Sequence, residues 1–131
     1  MEIAFGVVVA LHGLVHLLYA GHSARWFELK PGMDWPEGSW ALARSSGSSS
    51  ARTRATVALV LATLGFVVGG VGILAGWDWG RPLVAGAAVF SALLFGLMWN
   101  GKRENLDGQG AVGFLIDVAL LIVTVGFQWP Q

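Results

Sequence analysis

The chain contains no cysteine, so disulfides, thiolate metal sites and dithiol redox exchange are closed to it acting alone. Charge is scarce as well. Only 12% of the residues are charged, against roughly 25% in an ordinary soluble domain, and 55% are apolar. Acidic and basic residues cancel, which leaves no electrostatic footprint for nucleic acid and no expectation of such a partner. The start, Met1-Glu2-Ile3, lacks the basic region of a cleaved signal peptide, so the first apolar run is expected to stay as a spanning helix. None of the apolar runs shows the two-residue alternation of a lipid-facing strand. That excludes a closed β-barrel and leaves helices as the means of satisfying backbone groups in lipid.

What the chain has instead is apolar length. Residues 3–21, 55–76, 82–99 and 111–129 form four stretches, each near the roughly 20 residues that carry a helix across about 30 Å of hydrocarbon. Asp117 is the sole Asp, Glu, Lys or Arg inside them. The expected fold class is therefore all-α: one integral membrane domain over residues 1–131, an antiparallel bundle of four transmembrane helices with a long loop at 22–54. Arg25, Lys30, Arg44, Arg52, Arg54, Lys102 and Arg103 fall on one side of such a bundle and Arg81 alone on the other. The basic side is the cytoplasmic one, so both termini are expected outside, in a multi-pass protein of the bacterial cytoplasmic (plasma) membrane.

The seven tryptophans, Trp26, Trp35, Trp40, Trp77, Trp79, Trp99 and Trp129, fall in loops or at span ends, where an indole is expected to sit in the interface with its N–H in water. Residues 77–81 are too few for anything but a tight helical hairpin, with Gly76 closing one helix and Pro82 opening the next. In the first loop, residues 23–30 mix aromatics with charges and read as a segment lying flat in the interface. Pro31, Gly32 and Pro36 break any helix behind it, and Ser45-Ser46-Gly47-Ser48-Ser49-Ser50 reads as a flexible linker.

On the second stretch, Ala58, Ala62, Gly65, Gly69, Gly72 and Gly76 recur at steps of three and four. Such a small-residue stripe is a helix-packing surface, used within one bundle or between two copies in a homo-oligomer. Shorter stripes are Gly6, Ala10 and Gly13 on the first helix and Ala85, Ala88, Ala92 and Gly96 on the third.

Polar residues inside the spans carry the functional signal. His12, His16 and Tyr19 share one face of the first helix, and Asp117, Thr124 and Gln128 share one face of the fourth. Counted from the basic ends of their helices, His16 and Asp117 lie at equal depth and are expected to pair. Thr63 and Ser91 come near the same level. An ionisable group in hydrocarbon costs at least about 2.5 to 3.5 kcal/mol on insertion scales and faces the bundle interior. His12 and His16, four residues apart, have the spacing of two metal ligands on one face but lack the glutamate of H-E-x-x-H, so protease chemistry is not expected. Two ligands on one face also cannot clasp a haem from opposite sides, although either could serve as one axial ligand. The set His12, His16, Tyr19, Asp117, Ser91 and Thr63 therefore reads as a site for a lipophilic small molecule, a metal or haem, or as a proton relay. The pattern names no cofactor and no enzyme reaction. A structural or accessory subunit without chemistry is the alternative, and a small transporter is another.

His12-Gly-Leu-Val-His16-Leu-Leu, Trp35-Pro-Glu-Gly-Ser-Trp40 and Gly110-Ala-Val-Gly-Phe-Leu-Ile-Asp117 together resemble small uncharacterised bacterial four-helix membrane proteins, loosely similar to the DoxX-like group. The resemblance implies a four-helix bundle and assigns no activity to any residue.

Overall fold

The computed structural model describes residues 1–33, 35–41, 47–105 and 109–131. Among these the chain is all-helical, with no strand. Helix α1 spans Glu2–Ser23, α2 Ser48–Leu74, α3 Gly80–Met98 and α4 Ala111–Leu121; a π-helical turn, Ile122–Gly126, continues α4. The helices α1, α2 and α3 are long and apolar enough to cross a membrane, whereas α4 and its π turn form a shorter apolar segment.

Consecutive helices pack against one another, α1 on α2, α2 on α3 and α3 on α4. The α1–α2 contact places Gly6 against Gly70 and Leu74, Gly13 against Thr63 and Phe66, and Ser23 against Arg52. Helices α2 and α3 meet through Gly65 on Ala87, Gly69 on Val84, and Gly72 on Gly80 and Trp79. Small residues permit this closeness: a Cβ on Gly69 would stand 2.7 Å from Val84 Cγ2 and 3.2 Å from its backbone nitrogen. Gly76 is not part of this surface. It stands just past α2 with φ +71° and open space around it, and its N–H bonds to the Ile73 carbonyl while that of Trp77 bonds to Gly72. That two-bond pattern is a helix stop, which needs the left-handed backbone that glycine adopts without strain.

Two boundaries differ from expectation by three residues or more, and α3 opens at Gly80, two residues before Pro82. Helix α2 begins at Ser48 rather than Ala55, so residues 48–50 belong to a helix instead of a linker; Ser45, Ser46 and Arg44 lie outside the described residues. Serine is a poor helix former, and tertiary packing overrides it. Ala51 and Ala55 are fully buried, and the end of α1 rests on these turns: the Ser23 hydroxyl donates to the Arg52 carbonyl at 3.0 Å and accepts from Thr56 at 3.0 Å. At the other end, the π turn that continues α4 stops at Gly126, short of residue 129. The Thr124 hydroxyl turns back to the Leu120 carbonyl at 2.7 Å inside the π turn. Gln128 leaves the helical face altogether, with φ +50° and its carbonyl accepting from Arg81.

Beyond residue 30 the first loop is anchored on the bundle. It folds back over the end of the bundle, and Trp35, expected in the interface, is 1% exposed. His22 holds it there: Nδ1 accepts the Leu29 N–H at 3.2 Å, so Nε2 carries the proton and donates to the Trp35 carbonyl at 2.9 Å. Trp40 then fixes the loop to α3, its backbone N–H bonding to the Trp99 carbonyl and its indole to that of Gly96. Glu37 is paired with both Arg25 and Arg52. Trp26, Trp40, Trp77 and Trp79 keep exposed rings.

Candidate functional site

Halfway along α1, the four-residue spacing of His12 and His16 turns both rings inward, where helices α3 and α4 present Ser91 and Asp117. His12 Nε2 lies 2.8 Å from Asp117 Oδ1. This bond joins α1 to α4, with exposures of 6% for His12 and 0% for Asp117. His16 does not take the carboxylate, contrary to the pairing expected from depth. Its Nδ1 lies 3.0 Å from the His12 carbonyl and its Nε2 2.7 Å from Ser91 Oγ. A carbonyl only accepts, so in the neutral ring Nδ1 is the protonated nitrogen and Nε2 receives the Ser91 proton. His16 still stands close: His12, His16 and Asp117 each place a donor atom within 4.8 Å of one from each of the other two.

The displaced pairing has a cause at the foot of α4. Gly110, at φ +96°, begins the helix beneath the ring of Phe95, which would overlap a Cβ there at 2.3 Å. Phe95 is nearly a full turn inside the end of α3. The chain therefore re-enters the bundle before α4 starts, and buried Gln109 seals the re-entry by accepting the Asn100 N–H at 3.0 Å. Helix α4 is thus shifted inward by about one turn, and Asp117 comes level with His12 instead of His16, four residues or about 6 Å away along α1.

Aromatic rings wall the cluster. Phe66 meets His12 edge-on at 4.9 Å between centroids and lies 5.3 Å from His16, and Phe95 covers His16 from 5.4 Å. These two phenylalanines were not legible as site residues, because nothing distinguishes them from other apolar residues of their helices. Thr63 and Tyr19 do not join the polar cluster. The Thr63 hydroxyl donates to its own helix at Leu59, and Tyr19 packs between Trp35 and Phe95. An apolar cavity of about 350 Å³, lined by Phe95, Gly96, Trp99, Gly110, Phe114 and Leu115 among others, offers room for a lipophilic molecule between α3 and α4. None of His12, His16 and Asp117 lines it.

One atom of the cluster stands apart chemically. Among the described residues Asp117 Oδ2 is buried without a hydrogen-bond partner, while Oδ1 is held by His12. Burying a carboxylate oxygen unpaired is costly; Glu37 Oε2 in the first loop is likewise unpaired, but there Oε1 is held by Arg25 and Arg52. With two imidazoles beside it, the carboxylate can tie two helices together, hold a proton on Oδ2, or meet a cation. The chain matches no protein-family model, no curated protein and no solved structure.

Proposed function

We propose that the protein is a multi-pass protein of the bacterial cytoplasmic membrane whose four helices cross in alternating directions and enclose a cation-binding site at Asp117. Its polarity is inverted relative to a soluble bundle. Leu11 and Leu14 of α1, Leu61 and Leu64 of α2, Leu93 of α3, and Leu115 and Val125 of α4 and its π turn all face outward. His12, His16, Thr63, Ser91, Asp117 and Thr124 are inside. The outward Val112, Phe114, Leu115 and Ile116 of α4 support a fourth crossing, although its 16 helical residues cover only about 24 Å. The α1–α2 contacts, in which residue numbers rise on one helix as they fall on the other, fit the alternating directions. The Lys/Arg imbalance puts both termini outside. Similarity in layout to the DoxX-like group fits the same architecture and brings no activity with it.

The observation that carries the functional reading is the bare Oδ2 of a fully buried Asp117. In hydrocarbon a lone carboxylate is expensive, and one imidazole N–H satisfies only one of its oxygens. A cation supplies the missing counter-charge. A purely structural α1–α4 joint is the second reading, favoured by the complete hydrogen bonding of His16, Ser91, Thr63 and Thr124. Reaction of Asp117 with a lipophilic carbodiimide, located by mass spectrometry, separates the two. For a cation site, modification of Asp117 falls when a bound cation is present, whether inorganic or a lipophilic organic ion such as tetraphenylphosphonium. If no cation protects it, the joint is structural.

A further inference from the structure

Resting on that reading, we infer that His12, His16 and Asp117 bind one divalent transition-metal ion of the zinc, cobalt or nickel kind through two imidazoles and one carboxylate. The donor set decides the class of ion. Calcium and magnesium require six or more oxygen ligands, and this cluster offers one carboxylate and one hydroxyl among two imidazoles. Imidazole nitrogen with a single carboxylate is instead a familiar set for zinc and its neighbours, and ligand sites inside helical bundles are built from facing helices in this way. A bulky organic cation does not suit a space whose donor atoms all lie within 4.8 Å of one another and which Phe66 and Phe95 wall from about 5 Å.

The geometry is that of a site one small adjustment from closing. Ligand bonds of about 2.1 Å at tetrahedral angles separate donor atoms by about 3.4 Å. His12 Nε2 now gives its N–H to Asp117 Oδ1 at 2.8 Å, so on binding that proton must move to Nδ1 or be released; the two atoms then open slightly, while the widest pair draws in by no more than about 1.4 Å. His16 is already prepared as a ligand. Its Nδ1–H is anchored on the His12 carbonyl, the arrangement by which metal-bound histidines fix their tautomer and turn the other nitrogen's lone pair to the ion. That lone pair is occupied by the Ser91 hydroxyl, which the ion would displace. Asp117 Oδ2 has no partner among the described residues, so once Oδ1 is released from His12 the carboxylate can offer either oxygen to the ion. A fourth, anionic ligand would bring the site to zero net charge, as a hydrocarbon environment favours.

Cobalt(II) is the probe, titrated into the purified full-length chain in detergent and read by its visible spectrum. One ion per chain with the intense bands of four-coordinate cobalt is expected. His16→Ala and Asp117→Asn should each weaken binding by roughly a hundredfold or more, beyond the effect of losing a partner that merely orients a ligand. Either variant could fail to fold, so Ser91→Ala provides an independent measurement. It removes the hydroxyl that competes for His16 and no ligand, and binding should tighten about fivefold, the equivalent of one neutral hydrogen bond. Pale six-coordinate spectra, cobalt binding unchanged in a folded His16→Ala, or unchanged or weaker binding in Ser91→Ala would each overturn the assignment. Failure of the cation reading looks different. If tetraphenylphosphonium or another cation shields Asp117 from carbodiimide while cobalt does not, the metal assignment falls and the cation site stands; if nothing shields it, both fall.

Discussion

Replacing His12 by leucine leaves the Asp117 carboxylate with neither oxygen bonded, and replacing Asp117 by leucine leaves a buried imidazole facing hydrocarbon. Replacing both removes the mismatch. The bond between them is 2.8 Å long and both side chains are almost wholly excluded from solvent, so it belongs with hydrogen bonds to charged groups, worth about 1.5 to 3 kcal/mol in water-soluble proteins. Interhelical polar bonds measured in a membrane protein average about 0.6 and reach about 1.7 kcal/mol, because the unfolded chain in lipid also finds partners. Full burial and short length place this pair near the upper figure. The double variant should therefore cost about 1.5 kcal/mol less than the two single costs added. Reversible unfolding in mixed micelles, with increasing denaturing detergent, measures all four proteins of the cycle. The parallel cycle of His16→Leu with Asp117→Leu, whose side chains share His12 as a neighbour but no direct bond, should show a smaller coupling. A larger coupling for His16 than for His12, or additivity in both cycles, would refute the assigned pairing.

Gly69→Leu should destabilise the protein by about 1 to 3 kcal/mol, the usual cost of overpacking, because its Cβ would press on Val84 of α3. Gly86→Leu, where nothing lies within 4 Å, should be neutral in the same unfolding assay. Trp35→Ala should cost about 3 to 5 kcal/mol by opening a cavity under the first loop, and limited trypsin digestion should then cut faster at Arg25 and Lys30. A cysteine replacing exposed Ser49 should be labelled by impermeant maleimide only after the cytoplasmic face is opened, and labelling in intact cells would reverse the orientation.

Apolar length, the exclusion of charge and the isolation of Asp117 were legible in residue order, because the cost of polar groups in hydrocarbon acts on each residue through its chemistry alone. The inward set of His12, His16, Ser91 and Asp117 was legible for the same reason, since such side chains have nowhere inexpensive to point. Residue order also marked the stop at Gly76, a local matter of one backbone angle. What it did not determine was which histidine meets the carboxylate. Depth counted along isolated helices pointed to His16, but the level of α4 is fixed by Gly110 and Gln109 seating under Phe95, a contact between residues distant in the chain. The same holds for Ser48–Ser50, helical because α1 gives Ala51 and Ala55 a surface to bury against, and for Trp35, drawn inward by His22. Each of these depended on how far one helix slides past another, and a sliding distance is set by packing between surfaces that only the assembled tertiary structure brings together.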